Sequence, residues 1–260
     1  MIKIENNNRI LSEYVLKYLV NNNIVKEGST LDNLHLVNED MGNYESAKQF
    51  KDTHKYNYTS GINEVQKYLY NLDDDKKWRG LYMDLLKQIY DNVDYDFYFQ
   101  NTPQIRVHCP NVNGAEHYPM YHSDIILGHP PQEINVWLSL TNNNNTGFFI
   151  LEFDDSVDYF KKYSNDELLN MALNDKKGYN EDCHKLAIEV ESRTDCVFLF
   201  DSYRIHSGMP RKDDTRVSMD IRINPVKLFK HGYVGTGVQK AEFWPGGKFG
   251  YNEKSIKELL

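Results

Sequence analysis

The spacing of the apolar residues changes once along this chain, and that change limits what it can fold into. Up to about residue 94 they recur at helical steps; from about residue 95 they alternate. After Asp73, Asp74 and Asp75, which suit a helix start by complementing its dipole, Trp78, Leu81, Tyr82, Leu85, Leu86, Ile89 and Tyr90 fall on one helical face. Shorter helices are expected over 10–21 and 61–71. Further on, Gln104, Arg106 and His108 alternate with Ile105, Val107 and Cys109, and Glu133, Asn135, Trp137 and Ser139 share one side of their segment. Arg216, Ser218, Asp220 and Arg222 stand opposite Val217, Met219, Ile221 and Ile223 in a strand that ends before Pro225, while Gly147–Phe153 and Cys196–Phe200 read as short apolar strands.

Helices followed by many short strands predict an α+β chain folded as a single domain over 1–260. Its parts are a helical scaffold at 1–94, a jelly-roll or barrel core at 95–225 and a tail or lid at 226–260. A length of 260 residues suits one such domain, with two small domains as the alternative. Within the core, 154–190 is charged, carries a helical stretch near 165–175, and reads as a surface insertion. Asn142–Asn145 suits a loop tip, and Trp244–Gly250 either closes over a mouth or packs as a tail. On each alternating strand, the polar side lines a cavity if the apolar side packs on helices; otherwise it faces water. A polar cavity inside a barrel is a place for a charged ligand.

Bulk charge narrows the partners. A net charge of −8 argues against a broad nucleic-acid surface, which needs a basic stripe. Three cysteines without C-x-x-C spacing argue against a disulfide framework or a zinc knuckle. The first residues lack the basic-then-apolar order of a signal peptide, and no apolar run approaches the roughly 18 residues that span a bilayer. A soluble cytoplasmic protein with a small-molecule substrate is expected; the oligomeric state stays open.

His122-Ser123-Asp124 sets an imidazole and a carboxylate two residues apart, on the same side of an extended segment. With 9 His and 38 acidic residues in the chain, composition alone supplies about one such pair, so the pair is weak by itself. Three features add to it. His206 follows a buried-type strand, Arg216 re-enters on the next strand, and Ser218 points the same way as Arg216. Two imidazoles and one carboxylate can hold a divalent ion by one face of an octahedron, leaving three positions open. A guanidinium fork with a hydroxyl suits a distant carboxylate.

From Gln104 to Pro225 the sequence resembles the iron(II)/2-oxoglutarate dioxygenase superfamily, nearest to its streptomycin-biosynthesis and phytanoyl-CoA dioxygenase-like branch. The likeness lies in His122-Ser-Asp124, Glu133-Ile-Asn-Val-Trp-Leu-Ser-Leu-Thr141, His206 and Thr215-Arg-Val-Ser-Met-Asp-Ile-Arg222. The resemblance implies a double-stranded β-helix of the cupin-like jelly-roll kind with flanking N-terminal helices. It also implies iron(II) on His122, Asp124 and His206, 2-oxoglutarate on Arg216 and Ser218, and O2 as oxidant. Family halogenases replace the aspartate, so Asp124 implies hydroxylation, desaturation, epimerisation or ring closure. After Gly147 the chain departs from a Pro-Gly-Ser-His turn that many relatives carry.

Asn135 is a candidate donor to 2-oxoglutarate, the alternative being an edge amide facing water. Arg222 would hold a substrate anion or pair with Asp220 or Glu133. Arg106, His108, Tyr121 and Tyr203 are candidate substrate residues, whereas His117 and His129 read as loop histidines. The expected substrate is a small polar metabolite of a biosynthetic pathway. The competing readings are a non-catalytic cupin-like binding or sensing module and a hydroxylase of protein or nucleic acid.

Overall fold

A computed structural model describes residues 1–37, 64–108, 121–141, 147–174, 178–191, 193–208, 214–229 and 250–260. Cys109, His117, Asn142–Asn145 and most of Trp244–Gly250 lie outside the described residues.

Among the described residues, the strands are β1 (Ile2–Glu5), β2 (Phe97–Phe99), β3 (Gln104–His108), β4 (Ile134–Ser139), β5 (Phe148–Ile150), β6 (Ile188–Val190), β7 (Cys196–Asp201), β8 (His206–Gly208) and β9 (Arg216–Pro225). They form two antiparallel sheets. The larger runs β1-β7-β4-β9-β2, with β3 also on β9; the smaller runs β6-β5-β8 and gains a bridge between His122 and His206. β2 and β3 share one edge of β9, Phe99 facing Ile223 and Gln104 facing Asp220. The break between them contains Pro103, which has no N–H to give a ladder.

The helices are α1 (Arg9–Asn21), α2 (Leu34–Val37), α3 (Glu64–Leu69), α4 (Lys76–Asn92), α5 (Phe153–Lys162), α6 (Asn165–Asn174), α7 (Tyr179–Leu186) and α8 (Ile256–Leu259). α4 starts where the acidic run ends, because the Asp75 side chain accepts from the Lys77 and Trp78 amides. Its stripe of Trp78, Tyr82, Leu85, Leu86 and Ile89 is buried together with Leu11, Val15 and Leu19 of α1. Against them lie Val136 and Leu138 of β4 and Val217, Met219, Ile221 and Ile223 of β9, all in one core. The apolar side of the large sheet therefore packs on helices. Each such side chain contributes about 1.5–3 kcal/mol on burial.

The opposite side of the same strands faces the small sheet. There Trp137, Phe198 and Phe200 meet Phe148, Ile150 and Val190 in a second cluster. The polar residues Asn135, Ser139, Ser218 and Arg222 share this inner side and are buried as well. This settles the alternative left open by the alternating pattern: the polar side is interior.

Three sequence expectations change. Residues 1–94 include a strand: β1 pairs with β7, Ile4 facing Val197, and its four residues are too few to announce a period of two. Within 154–190, the described residues do more than cover the surface, where an insertion was expected. Leu168, Met171, Tyr179 and Cys183 of α6 and α7 build a core with Tyr121, Ile126, Leu151 and Ile205. β6 then completes the small sheet, Phe148 facing Val190. The apolar strand expected over 147–153 stops at Ile150, and Glu152 precedes α5 as its N-cap residue. Among the described residues, no helix is long and apolar enough to cross a membrane.

Candidate metal centre

His122 and His206 face each other across the small sheet and exchange both backbone hydrogen bonds, at 3.0 and 2.8 Å. Directly opposed residues put their side chains on one face, and the two ring centroids stand 4.6 Å apart. The extended chain ends at His122. Asp124 opens a 3₁₀ turn through Leu127, capped by Ser123, whose hydroxyl accepts from the Ile125 amide and donates to the Ser202 carbonyl. Gly128 closes the turn at φ 100°, a conformation that favours glycine, and brings the chain back so that the His129 amide donates to the Asp124 carbonyl.

These constraints converge three donors. Asp124 Oδ1 lies 4.0 Å from His122 Nε2 and 3.9 Å from His206 Nε2, and donor atoms of the three residues all fall within 4.8 Å of one another. Donors on one ion sit about 2.0–2.2 Å from it, so an inward shift of about 1 Å gives octahedral spacing. The donor chemistry fits too. The His206 Nδ1–H donates to the Arg204 carbonyl at 2.9 Å, which leaves Nε2 with its lone pair aimed at Asp124. Burial lowers the His206 pKa and outweighs the pull of Asp124, favouring the neutral ring a metal needs. Burial pushes the Asp124 carboxyl up, but Arg222 with His129, His206 and His122 more than offsets this and holds it well below the usual carboxylate range.

The second oxygen of Asp124 is tied back. Asn135 Nδ2 donates to Oδ2 at 2.6 Å, and Arg222 Nη2 lies 3.4 Å from it. The register supplies both, since Asn135 and Arg222 are cross-strand partners on β4 and β9. Asn135 is thus neither water-facing nor aimed wholly at a co-substrate: its amide nitrogen serves Asp124, and its buried Oδ1 has no partner among the described residues. Arg222 takes the structural pairing. Its Nε lies 3.3 Å from Glu133 Oε1. Glu133 also accepts from His129 Nδ1 at 2.6 Å and from the Tyr251 hydroxyl. His129 is therefore a buried ion-pair member; burial lowers its pKa, but Glu133 and Asp124 leave it raised overall. Asp124, His129 and Glu133 form a second donor cluster. The Arg222 guanidinium already spans Asp124 and Glu133 there, which disfavours a second cation.

Arg216 and Ser218 lie on the inner side of β9, both buried. Arg216 donates to the Gly147 carbonyl at 2.6 Å and to His108 Nδ1 at 3.1 Å. Gly147 is fixed by space: a Cβ there would stand 1.5 Å from the Val190 carbonyl oxygen. The buried Ser218 hydroxyl has no partner among the described residues. Arg106 pairs with Asp220 and donates to Gln104 at 3.0 Å. Tyr121 and Tyr203 belong elsewhere. Tyr121 hydrogen-bonds His184 and packs among α6 and α7, because a residue next to His122 in an extended chain points to the other side. Tyr203 stacks edge-on against Phe160 of α5. The sequence carries no sign of Tyr251, which follows no period, while it offers Glu133 as one alternative partner of Arg222, and that is the pairing found.

No protein-family model matches the sequence, and no curated protein matches it. Solved structures similar to it include proteins described as non-heme oxygenases or as alpha-ketoglutarate dependent. The carbocyclase SnoK from nogalamycin biosynthesis, described as alpha-ketoglutarate dependent, shares 13% identity over 64% of each chain at a TM-score of 0.43. The ThoJ–nickel complex, a non-heme monooxygenase, shares 13% over 60% of this chain and 58% of its own, at 0.34. HygX from Streptomyces hygroscopicus, with nickel, 2-oxoglutarate and hygromycin B bound, shares 10% over 73% and 80%, at 0.40. The chain thus spans less than two thirds of the length of the first two. At such identities and TM-scores nothing about this chain's own chemistry follows from the likeness.

Proposed function

We propose that this protein is an iron(II)- and 2-oxoglutarate-dependent oxygenase acting on a small polar metabolite. The carrying observation is the convergence of His122, Asp124 and His206 at one end of the space between two sheets, with Nε2 of His206 free to ligate. The topology supports a double-stranded β-helix. The chain passes from β3 to His122, to β4, to β5 and β6, to β7, to β8 and to β9, so that β3-β9-β4-β7 lies over His122-β8-β5-β6, with β1 and β2 as additions.

In this reading His122, Asp124 and His206 hold iron(II) by one octahedral face and leave three positions open for a chelating co-substrate and O2. When bound, the metal and the oxo-acid supply the oxidation of a C–H bond. The protein's part is placement. Ile150 pairs with His206, and Gly147, whose carbonyl holds Arg216, is three residues further along. At about 3.3 Å per residue this sets the guanidinium about 10 Å from the metal row. That span matches a five-carbon diacid chelated at one end and paired at the other. Ser218 would give the far carboxylate its hydroxyl, and Asn135, whose Nδ2 already donates to Asp124 Oδ2, would have its second Nδ2–H to offer the chelating end. Trp137, Phe148, Phe198 and Phe200 pack on one another between the sheets and would keep water from that side of the site. The half-buried Gln104, Arg106, His108 and Asp220 on the inner side of β3 and β9 support a polar substrate.

The test is anaerobic titration of the metal-free protein with iron(II) and then 2-oxoglutarate, followed by succinate release across amino acids and sugar-like compounds. Binding of one iron(II), the visible charge-transfer band of the chelate and substrate-stimulated succinate are expected. Absence of stoichiometric iron(II) binding would overturn the reading.

A further inference from the structure

Residues 250–260 lie far in sequence from the metal ligands, yet one of their side chains ends in the network behind Asp124. This segment straps the broken edge of the large sheet. The Asn101 amide donates to the Gly250 carbonyl at 2.8 Å, the Asn252 amide donates to the Phe99 carbonyl at 2.8 Å, and Tyr251 bridges Gln100. Beyond it, Ser255 and Glu258 form a capping box that starts α8. Ile256 is fully buried in the helix-side core, so the strap is anchored by packing as well as by hydrogen bonds.

Where β2 breaks and before β3 begins, the edge is interrupted, and there Tyr251 becomes buried at 4% exposure. Its hydroxyl donates to Glu133 Oε2. Glu133 Oε1 faces Arg222 Nε at 3.3 Å, and Arg222 Nη2 reaches Asp124 Oδ2 at 3.4 Å. Each member fixes the next. The hydroxyl occupies Oε2 of Glu133, while Oε1 is shared by Arg222 Nε and by His129 Nδ1 at 2.6 Å, so the carboxylate is held from both ends. The guanidinium, with Asn135, holds Oδ2 of Asp124 and so leaves Oδ1 for the imidazoles.

We infer that Tyr251 is a positioning residue for the metal carboxylate: acting through Glu133 and Arg222, it makes the C-terminal strap part of the metal site. This rests on the proposed reading of His122, Asp124 and His206 as metal ligands. A strap that only stabilised the sheet edge would need apolar contact there, as Ile256 provides, and no hydroxyl delivered to a buried carboxylate. Direct partners of metal ligands change metal affinity about 10–100-fold when removed, and Tyr251 acts on Asp124 through two intervening side chains, so the low end of that range applies.

The experiment uses the full chain, freed of metal, with Mn(II) followed by electron paramagnetic resonance of the unbound ion, and Co(II) spectra as a report on ligand geometry. Tyr251→Phe removes one oxygen and keeps the ring. Its Mn(II) affinity is expected to fall about tenfold, with an altered Co(II) spectrum. In a Glu133→Gln background the same change should cost at most about twofold, because the charge it acts through is gone. Ile256→Ala serves as the control for strap packing and should lower the Tm while Mn(II) affinity holds. Unchanged Mn(II) affinity in Tyr251→Phe would overturn the inference, as would an equal loss in both backgrounds. If the wild type itself binds no Mn(II), and His122→Ala behaves identically, it is the metal-site reading that fails.

Discussion

The two sides of β4 and β9 are both buried, apart from half-buried Asp220 on the inner side, and are built from opposite chemistry. Val136, Leu138, Val217, Met219 and Ile221 are shut from water by helices on one side. Asn135, Ser139, Ser218 and Arg222 are shut from water by the small sheet on the other, none more than 9% exposed. Apolar burial is favourable without partners; polar burial costs stability unless every group finds one. On the inner side the carboxylates of Asp124 and Glu133 are met by Asn135, His129, Tyr251 and the charge of Arg222, yet the Ser218 hydroxyl, Asn135 Oδ1 and Arg222 Nε have no hydrogen-bond partner among the described residues. One side of the sheet stabilises the fold, and the other holds unspent hydrogen-bonding capacity where a ligand would sit.

Substitutions on the two sides should therefore separate stability from binding. The largest effect is expected from His206→Ala, which removes a donor without stranding a charge. Metal affinity should fall by about a hundredfold or more and 2-oxoglutarate turnover should vanish, with the Tm of the metal-free protein within a few degrees of wild type. Calorimetric titration and a melting curve decide this; tight iron(II) binding by the variant would remove His206 from the site. Leu138→Ala, on the same strand as Asn135 but facing the helices, should do the reverse. It should cost about 2–5 kcal/mol in denaturant unfolding and leave metal affinity unchanged in the folded protein. Next comes Arg216→Gln. It should raise the half-saturating 2-oxoglutarate concentration at least about tenfold, because a fork-shaped ion pair is lost, while metal affinity without 2-oxoglutarate holds. Equal loss of both would mean that Arg216 supports the fold instead of anchoring a carboxylate.

The sequence shows these two sides unequally. The stripe of α4 and the alternation of β3, β4 and β9 were legible because each repeats a local period, and the pairing of His122 with His206 follows once both strands are placed. The residues that hold the metal carboxylate repeat nothing. Asn135 is marked by its place on the strand and Glu133 as one of two alternative partners of Arg222, but His129 reads as a loop histidine. Their roles depend on Tyr251, which arrives from the end of the chain and is invisible until the strap is folded. Tyr121 misled in the opposite way, since standing next to a ligand in an extended chain places a side chain on the other face. The charged exterior of α5, α6 and α7 likewise concealed the apolar positions beneath.

The smallest expected effect concerns two buried histidines on the inner side whose pKa values move in opposite directions. Burial lowers that of His206, whereas Glu133 and Asp124, working against burial, raise that of His129. In the unfolded chain both titrate near 6.5. His206, neutral in the fold, contributes stability that is full above 6.5 and is lost as pH falls toward its folded value. His129, protonated in the fold, contributes stability that is full below 6.5 and is lost as pH rises toward its own. The metal-free protein should thus show a shallow stability maximum near pH 6.5 with a decline on both sides. His129→Gln should flatten the alkaline side and leave the acid side in place, since Asp124 and His206 still govern it. Melting temperatures read between about pH 5 and 8 test this. An alkaline decline of equal size in His129→Gln would show that the His129–Glu133 pair is not what links folding to pH there.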